Sequence, residues 1–202
     1  MADTVVDEVL QYIAQSRDVV AAAIEDPGFA ATLAAAGERV AAALAAGGKI
    51  LLAGNGGSAA DAQHIAGELL CRLNYDRPPV AAIALTTDSS VLTAIANDYS
   101  YAEVFERQIR GLGRPGDVFI GISTSGRSGN IMRAIQAARE LGIYVIGLTG
   151  QSGGDMITWC DMCLRVPSNW TPLIQQVHII AAHVICGIVE ERLFPRQKPP
   201  KS

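Results

Sequence analysis

Three ionisable side chains crowd one short segment of this chain: Asp61, His64 and Glu68, within LLAGNGGSAADAQHIAGELLCRL at residues 51–73. If the segment is helical, spacings of three and four place them on adjacent turns, pointing at a common space. His64 then reads either as a metal ligand or as a supporting or core residue, and Asp61 either joins the site or favours the first helical turn through the helix dipole. A second set, Gln175, His178 and His183, lies in TPLIQQVHIIAAHVICGIVEE. His178 reads as a hydrogen-bonded core residue. His183, between Ala182 and Val184 in a run that looks buried, is costly there without a partner. Glu68 poses the same problem, and one pocket shared by Glu68 and His183 would solve both.

Two loops carry anion-binding chemistry. In Ser123-Thr124-Ser125-Gly126-Arg127-Ser128-Gly129, four hydroxyls and loose glycine backbone precede the helical stretch NIMRAIQAARE. Free N–H donors and the dipole at a helix start favour an anion, so the loop reads as a phosphate cradle. The alternative is a turn whose serines cap the helix, but a cap needs one hydroxyl. The other loop, Gly54-Asn55-Gly56-Gly57-Ser58, would let a ligand lie close to the backbone. Neither is a G-x-x-x-x-G-K-[ST] or G-x-G-x-x-G motif, so neither points to a nucleotide.

From Lys49 onward, apolar runs alternate with helical stretches: KILLAG (49–54), VAAIAL (80–85), DVFIGI (117–122), YVIGLT (144–149) and DMCLRV (161–166). Continuous apolar strands separated by helices predict an α/β fold with a parallel five-stranded sheet flanked by helices on both faces. In such sheets ligands bind beyond the carboxyl ends of the strands, where both loops fall. Two Ala-rich amphipathic segments, residues 4–24 and 29–46, precede the sheet and read as a helical hairpin broken at Glu25-Asp26-Pro27-Gly28. A last helix spans 171–193. The predicted organisation is an N-terminal hairpin over 1–47, a sheet domain over 48–195 and a disordered tail over 196–202.

A net charge of -4 and a pI near 5.3 give no electrostatic reason to expect nucleic acid. No leader pattern opens the chain and no uncharged apolar run is expected to span a membrane, so a soluble cytoplasmic protein is predicted. Cys71, Cys160, Cys163 and Cys186 include a lone C-x-x-C without a second pair. Buried reduced thiols are expected rather than disulfides or a zinc site.

GNGGSAADAQHIAGE, LTTDSSVLTAIANDYSYAEVF, STSGRSGNI and IQQVHIIAAHVICGIVEE, in that order, resemble the phosphoheptose isomerases of the sugar isomerase (SIS) domain superfamily over residues 49–194. The resemblance implies the SIS three-layer sandwich. It also implies conversion of sedoheptulose 7-phosphate to D-glycero-D-manno-heptose 7-phosphate, which opens bacterial nucleotide-activated heptose synthesis for lipopolysaccharide core or surface glycan. Position by position it implies catalysis by Glu68 and His183. Substrate contacts would come from Asn55, Gly56, Gly57, Glu68, Asn97, Asp98, Ser123, Thr124, Ser125, Ser128 and Gln175, with Asn97 and Asp98 expected on a loop after TAIA. It further implies one zinc per subunit on His64, Glu68, Gln175 and His183, and a homotetramer with active sites at subunit interfaces. The Ala-rich opening helices and the apolar last helix suit such packing. The rival reading is a non-enzymatic SIS adaptor that binds the replication initiator; such relatives look to have lost the Glu and His kept here.

Overall fold

The computed structural model describes residues 2–196, with side chains from Thr4 onward. The chain opens with helices α1 (Ala2–Glu25) and α2 (Pro27–Ala45). Asp26 separates them: its carboxylate accepts from the Gly28 N–H at 2.8 Å, and Pro27 starts the second helix where a missing donor costs nothing. The helix axes turn by 79° at this point. The remaining elements are β1 (Ile50–Ala53), α3 (Gly57–Leu70), β2 (Ala82–Ala84), α4 (Ser89–Asp98), a 3-10 turn (Tyr101–Glu103), α5 (Glu106–Leu112), β3 (Val118–Ile122), α6 (Gly129–Glu140), β4 (Tyr144–Thr149), α7 (Met156–Trp159), β5 (Met162–Arg165) and α8 (Thr171–Leu193).

All five strands run parallel in the order β2-β1-β3-β4-β5. Alternate residues of the central strands feed two separate cores. Ile50, Leu52, Val118, Ile120, Ile122, Ile146 and Leu148 pack with α2, α3 and α8. Leu51, Ala53, Phe119 and Val145 pack with α5, α6 and α7 on the other face. This is why β1 and β3 are buried throughout and show no polar alternation.

Four of the expected strands are shorter than their apolar runs. In VAAIAL only Ala82–Ala84 is strand, because the Val80 N–H is taken by the Leu69 carbonyl at the end of α3, at 3.2 Å. The last helix has the expected bounds, but it corrects one expectation: by length and composition α8 would suffice to cross a membrane, and half of its apolar window is buried in the protein's own core. Cys71 is exposed and Cys160 and Cys163 are half-buried, so buried thiols hold in full only for Cys186; all four are free. The expected disordered tail lies, beyond Arg196, outside the described residues.

Candidate active site

The strand order reverses direction between β1 and β3, so the loops leaving these strands part to opposite faces and open a crevice at their carboxyl ends. The β1–α3 loop is built on close approaches. A Cβ on Gly54 would collide with the Ser58 carbonyl, Gly56 has φ +57°, and a Cβ on Gly57 would lie 2.6 Å from Gln175 Nε2. The Gln175 amide from α8 therefore rests directly on the start of α3. Asn55 is locked by a reciprocal pair with Asn130, each Nδ2 donating to the other's Oδ1 at 2.9 and 2.8 Å, and by the Tyr101 hydroxyl, which donates to Asn55 Oδ1 at 3.0 Å.

Across the crevice, the β3–α6 loop gathers hydroxyls. Ser123 Oγ lies 2.8 Å from Ser128 Oγ and 3.5 Å from Ser125 Oγ, and the N–H groups of Arg127 and Ser128 approach this cluster at 3.2 and 3.4 Å. Ser128 occupies the N-cap of α6 without bonding the helix through its side chain, so the plain capping role is not the one it plays here. Thr124 turns away from the other three, with its hydroxyl 3.5 Å from that of Thr171 at the start of α8.

Further along α3, His64 Nε2 stands 3.3 Å from Glu68 Oε1 and 2.9 Å from His183 Nε2. The imidazole planes cross at 66°. Two imidazole nitrogens and a carboxylate oxygen thus lie within 4.8 Å of one another, one from each residue. The donor set fits a three-residue zinc site with an open position for water or substrate. It equally supplies groups for moving protons. Gln175, the fourth expected ligand, lies eight residues before His183 on the same helix, about 12 Å along the axis, with its amide against Gly57 at the start of α3.

Several expectations need correction. His183 is exposed: α8 buries the stripe through Val177, His178, Ala181, Ala182 and Ile185, while His183 and Val184 face outward. Its partner is another surface group rather than a buried one. Asn97 and Asp98 end α4 instead of occupying a loop, since Asp88 starts that helix by accepting from the Val91 N–H at 3.0 Å and it continues to Asp98. Both are exposed, and Asn97 Nδ2 donates to Asp98 Oδ1 at 2.8 Å.

His178 is a core residue as expected, 3.2 Å from the Thr149 carbonyl, with burial pushing its pKa down to about 4 against the pull of that carbonyl. Asp61 lies past the first turn of α3, which starts at Gly57, so the expected dipole role at the helix start does not apply. Burial raises its carboxyl above the ordinary range, nearby His64 partly offsets this, and among the described residues its buried Oδ2 has no hydrogen-bond partner. Asn130 and Tyr101 were missed by sequence reasoning. The signal for Asn130 was an amide placed one residue into a helix directly after the hydroxyl loop; Tyr101 carried none.

A model of the SIS domain matches residues 11–150 of this chain. The phosphoheptose isomerase of Burkholderia pseudomallei is 51% identical over 185 residues, covering 92% of this chain and 94% of that protein. Phosphoheptose isomerase 2 of Campylobacter jejuni is 60% identical over 148 residues, 73% of this chain and 74% of its own. The solved phosphoheptose isomerase from Francisella tularensis superposes with a TM-score of 0.88 at 36% identity, covering 92% of this chain and 98% of that one.

Proposed function

The chain belongs to the SIS domain family, among its phosphoheptose isomerases, and on that footing we propose that it converts sedoheptulose 7-phosphate to D-glycero-D-manno-heptose 7-phosphate, the entry to nucleotide-activated heptose. The observation that carries this reading is a hydroxyl cradle at the start of α6, tied through Asn55 and Asn130 to the loop that begins α3, with a Glu-His cluster further along α3. Asn55 and Asn130 bring the two loops together, and His64 lies seven residues after Gly57, about 10 Å along α3. That span suits a substrate whose phosphate and reacting carbons sit at opposite ends. Incubating the purified protein with sedoheptulose 7-phosphate and following the aldose H1 signal by NMR tests it; an unchanged substrate spectrum sinks it.

The ketose-to-aldose step takes a proton from C1, forms an enediol and returns a proton to C2, while a second proton passes in the same sense from the C1 hydroxyl to the C2 oxygen, leaving the C1 aldehyde and the C2 hydroxyl. Glu68 is the carbon base: one of its oxygens faces His64, leaving the other for the substrate. His183 serves ring opening and protonation of oxygen. Ser123, Ser125 and Ser128, with the N–H groups at the start of α6, hold the phosphate, and Thr124, its hydroxyl toward Thr171, borders the cradle without joining its hydroxyl cluster. Asn55, Gly56, Gly57 and Gln175 border the sugar, with Asn97 and Asp98 closing over it from α4.

Zinc, when held by His64, Glu68 and His183, would polarise the substrate oxygens as a Lewis acid. For Gln175 to join that ligand set it would have to come from another subunit, since His183 of its own chain lies about 12 Å away along α8, and a site shared between subunits allows this. A homotetramer with shared sites is supported by the exposed apolar row Val5, Val6, Val9, Leu10 and Ile13 on α1 and by Ile180 and Val184 on α8 beside exposed His183. Light scattering that finds an active monomer would remove it. We place the enzyme in the cytoplasm, where sugar phosphates are made. An adaptor for the replication initiator needs neither the hydroxyl cradle nor the Glu-His cluster, and is not favoured.

A further inference from the structure

Behind the Glu-His cluster lies an ion pair with no contact to the crevice. Arg77, on the irregular segment between α3 and β2, and Glu190, near the end of α8, have side chains 2% and 0% exposed, with Nε 3.3 Å from Oε1. The pair is saturated with directional bonds. Arg77 Nη2 donates to the Glu68 carbonyl at 2.6 Å, and Nη1 donates to the carbonyls of Leu69 at 2.6 Å and Pro78 at 3.1 Å. Glu190 accepts from the N–H groups of Leu73 and Asn74 at 2.8 and 3.0 Å, and from Asn74 Nδ2 at 3.0 Å.

The carbonyls of Glu68 and Leu69 belong to the last turn of α3, where no later N–H of the helix remains to satisfy them. The flat guanidinium fork takes both at once, a geometry an ammonium does not reproduce. Burying two charges is costly, and apolar side chains of similar volume hold helices together as well or better. What the ion pair adds is register. One end grips the backbone of Glu68 itself, four residues after His64; the other sits on α8 two helical turns beyond His183.

We propose that Arg77 and Glu190 are positioning residues for the isomerisation, fixing α3 against α8 along their axes and so setting how Glu68 and His64 meet His183. The inference rests on the isomerase reading for its chemistry but not for its geometry. Single substitutions leave a lone buried charge and are prone to misfold, so the informative variant is Arg77→Met with Glu190→Leu, which removes both charges and keeps the volume. Its kcat for sedoheptulose 7-phosphate should fall about tenfold to a hundredfold, the usual loss when an outer support is removed, with KM within about twofold of wild type. Arg77→Lys should lie between.

Asp117→Ala is the comparison for stability alone, because Asp117 anchors Lys49 and the Arg114 N–H at the opposite ends of the strands. A crystal structure of the double variant should show the His64 Nε2 to His183 Nε2 contact, 2.9 Å in the native chain, changed by about 1 Å. A contact left in place, or a kcat loss no greater than that of Asp117→Ala, overturns the proposal. If wild type does not isomerise the sugar, the assigned function fails, and the crystallographic distance alone decides the positioning role.

Discussion

Replacing Gly57 by alanine separates the site's demands from those of the fold. Gly57 begins α3 with an ordinary negative φ, so alanine meets no backbone strain, and helix propensity favours it by at most about 1 kcal/mol. Its Cβ, however, would come within 2.6 Å of Gln175 Nε2 and 3.0 Å of Cδ and Oε1. Restoring ordinary contact near 3.5 Å requires the amide to retreat by about 0.9 Å, and the far end of a flexible side chain yields cheaply. Thermal stability should therefore stay within about 1 kcal/mol of wild type while turnover drops by about tenfold to a hundredfold, the scale for misplacing a substrate-positioning group by 1 Å. Gly54→Ala should behave oppositely, because its Cβ meets the backbone of Ser58, which cannot retreat; the loss there is in folding. Unfolding curves and steady-state kinetics on both variants read the two effects. Wild-type turnover in Gly57→Ala, with a crystal structure showing Gln175 displaced, would remove Gln175 from the site.

Replacing Ser123 and Ser125 together by alanine should weaken calorimetric binding of the phosphorylated sugar by about a hundredfold or more, at about 1.5 kcal/mol or above for each of two hydrogen bonds to a charged group; equal weakening of free sedoheptulose would mean the loop does not read phosphate. His64→Ala, loaded with one equivalent of zinc and desalted, should retain less metal than wild type, and unchanged metal content would argue against the cluster as the ligand set. His178 stays neutral when folded but takes a proton on unfolding between its ordinary 6.5 and about 4. The unfolded state binds more protons in that window, so stability falls as pH drops through it, by about 3 kcal/mol when complete. His178→Leu should flatten that part of the profile, and a variant with wild-type pH dependence would contradict the assignment.

The apolar runs revealed the sheet because parallel central strands are buried on both faces, and YVIGLT and the last helix were bounded to the residue. Edge strands were overextended: β2 begins only at Ala82, after Leu69 has captured the Val80 N–H, a tertiary bond no local pattern announces. In the site, helical spacing brought His64 and Glu68 together, but the orientation of His183 depends on which stripe of a nearly all-apolar helix faces the core. Periodicity does not decide that on α8, where the outward side also carries Ile180 and Val184. The Asn55–Asn130 pair joins residues 75 apart in sequence, and Arg77 meets Glu190 across 113. Both depend on how crossovers fold back rather than on any motif.

Isomerisation run in D2O and followed by proton NMR at C2 of the heptose phosphate tests the central claim most directly. Proton transfer through an enediol, with Glu68 as the carbon base, predicts solvent deuterium at C2 in the wild-type product and neither product nor exchange above background in Glu68→Gln. A product that retains hydrogen at C2 through many turnovers, carried over from C1 without dilution by solvent, would mean hydride transfer between the carbons and would contradict the account.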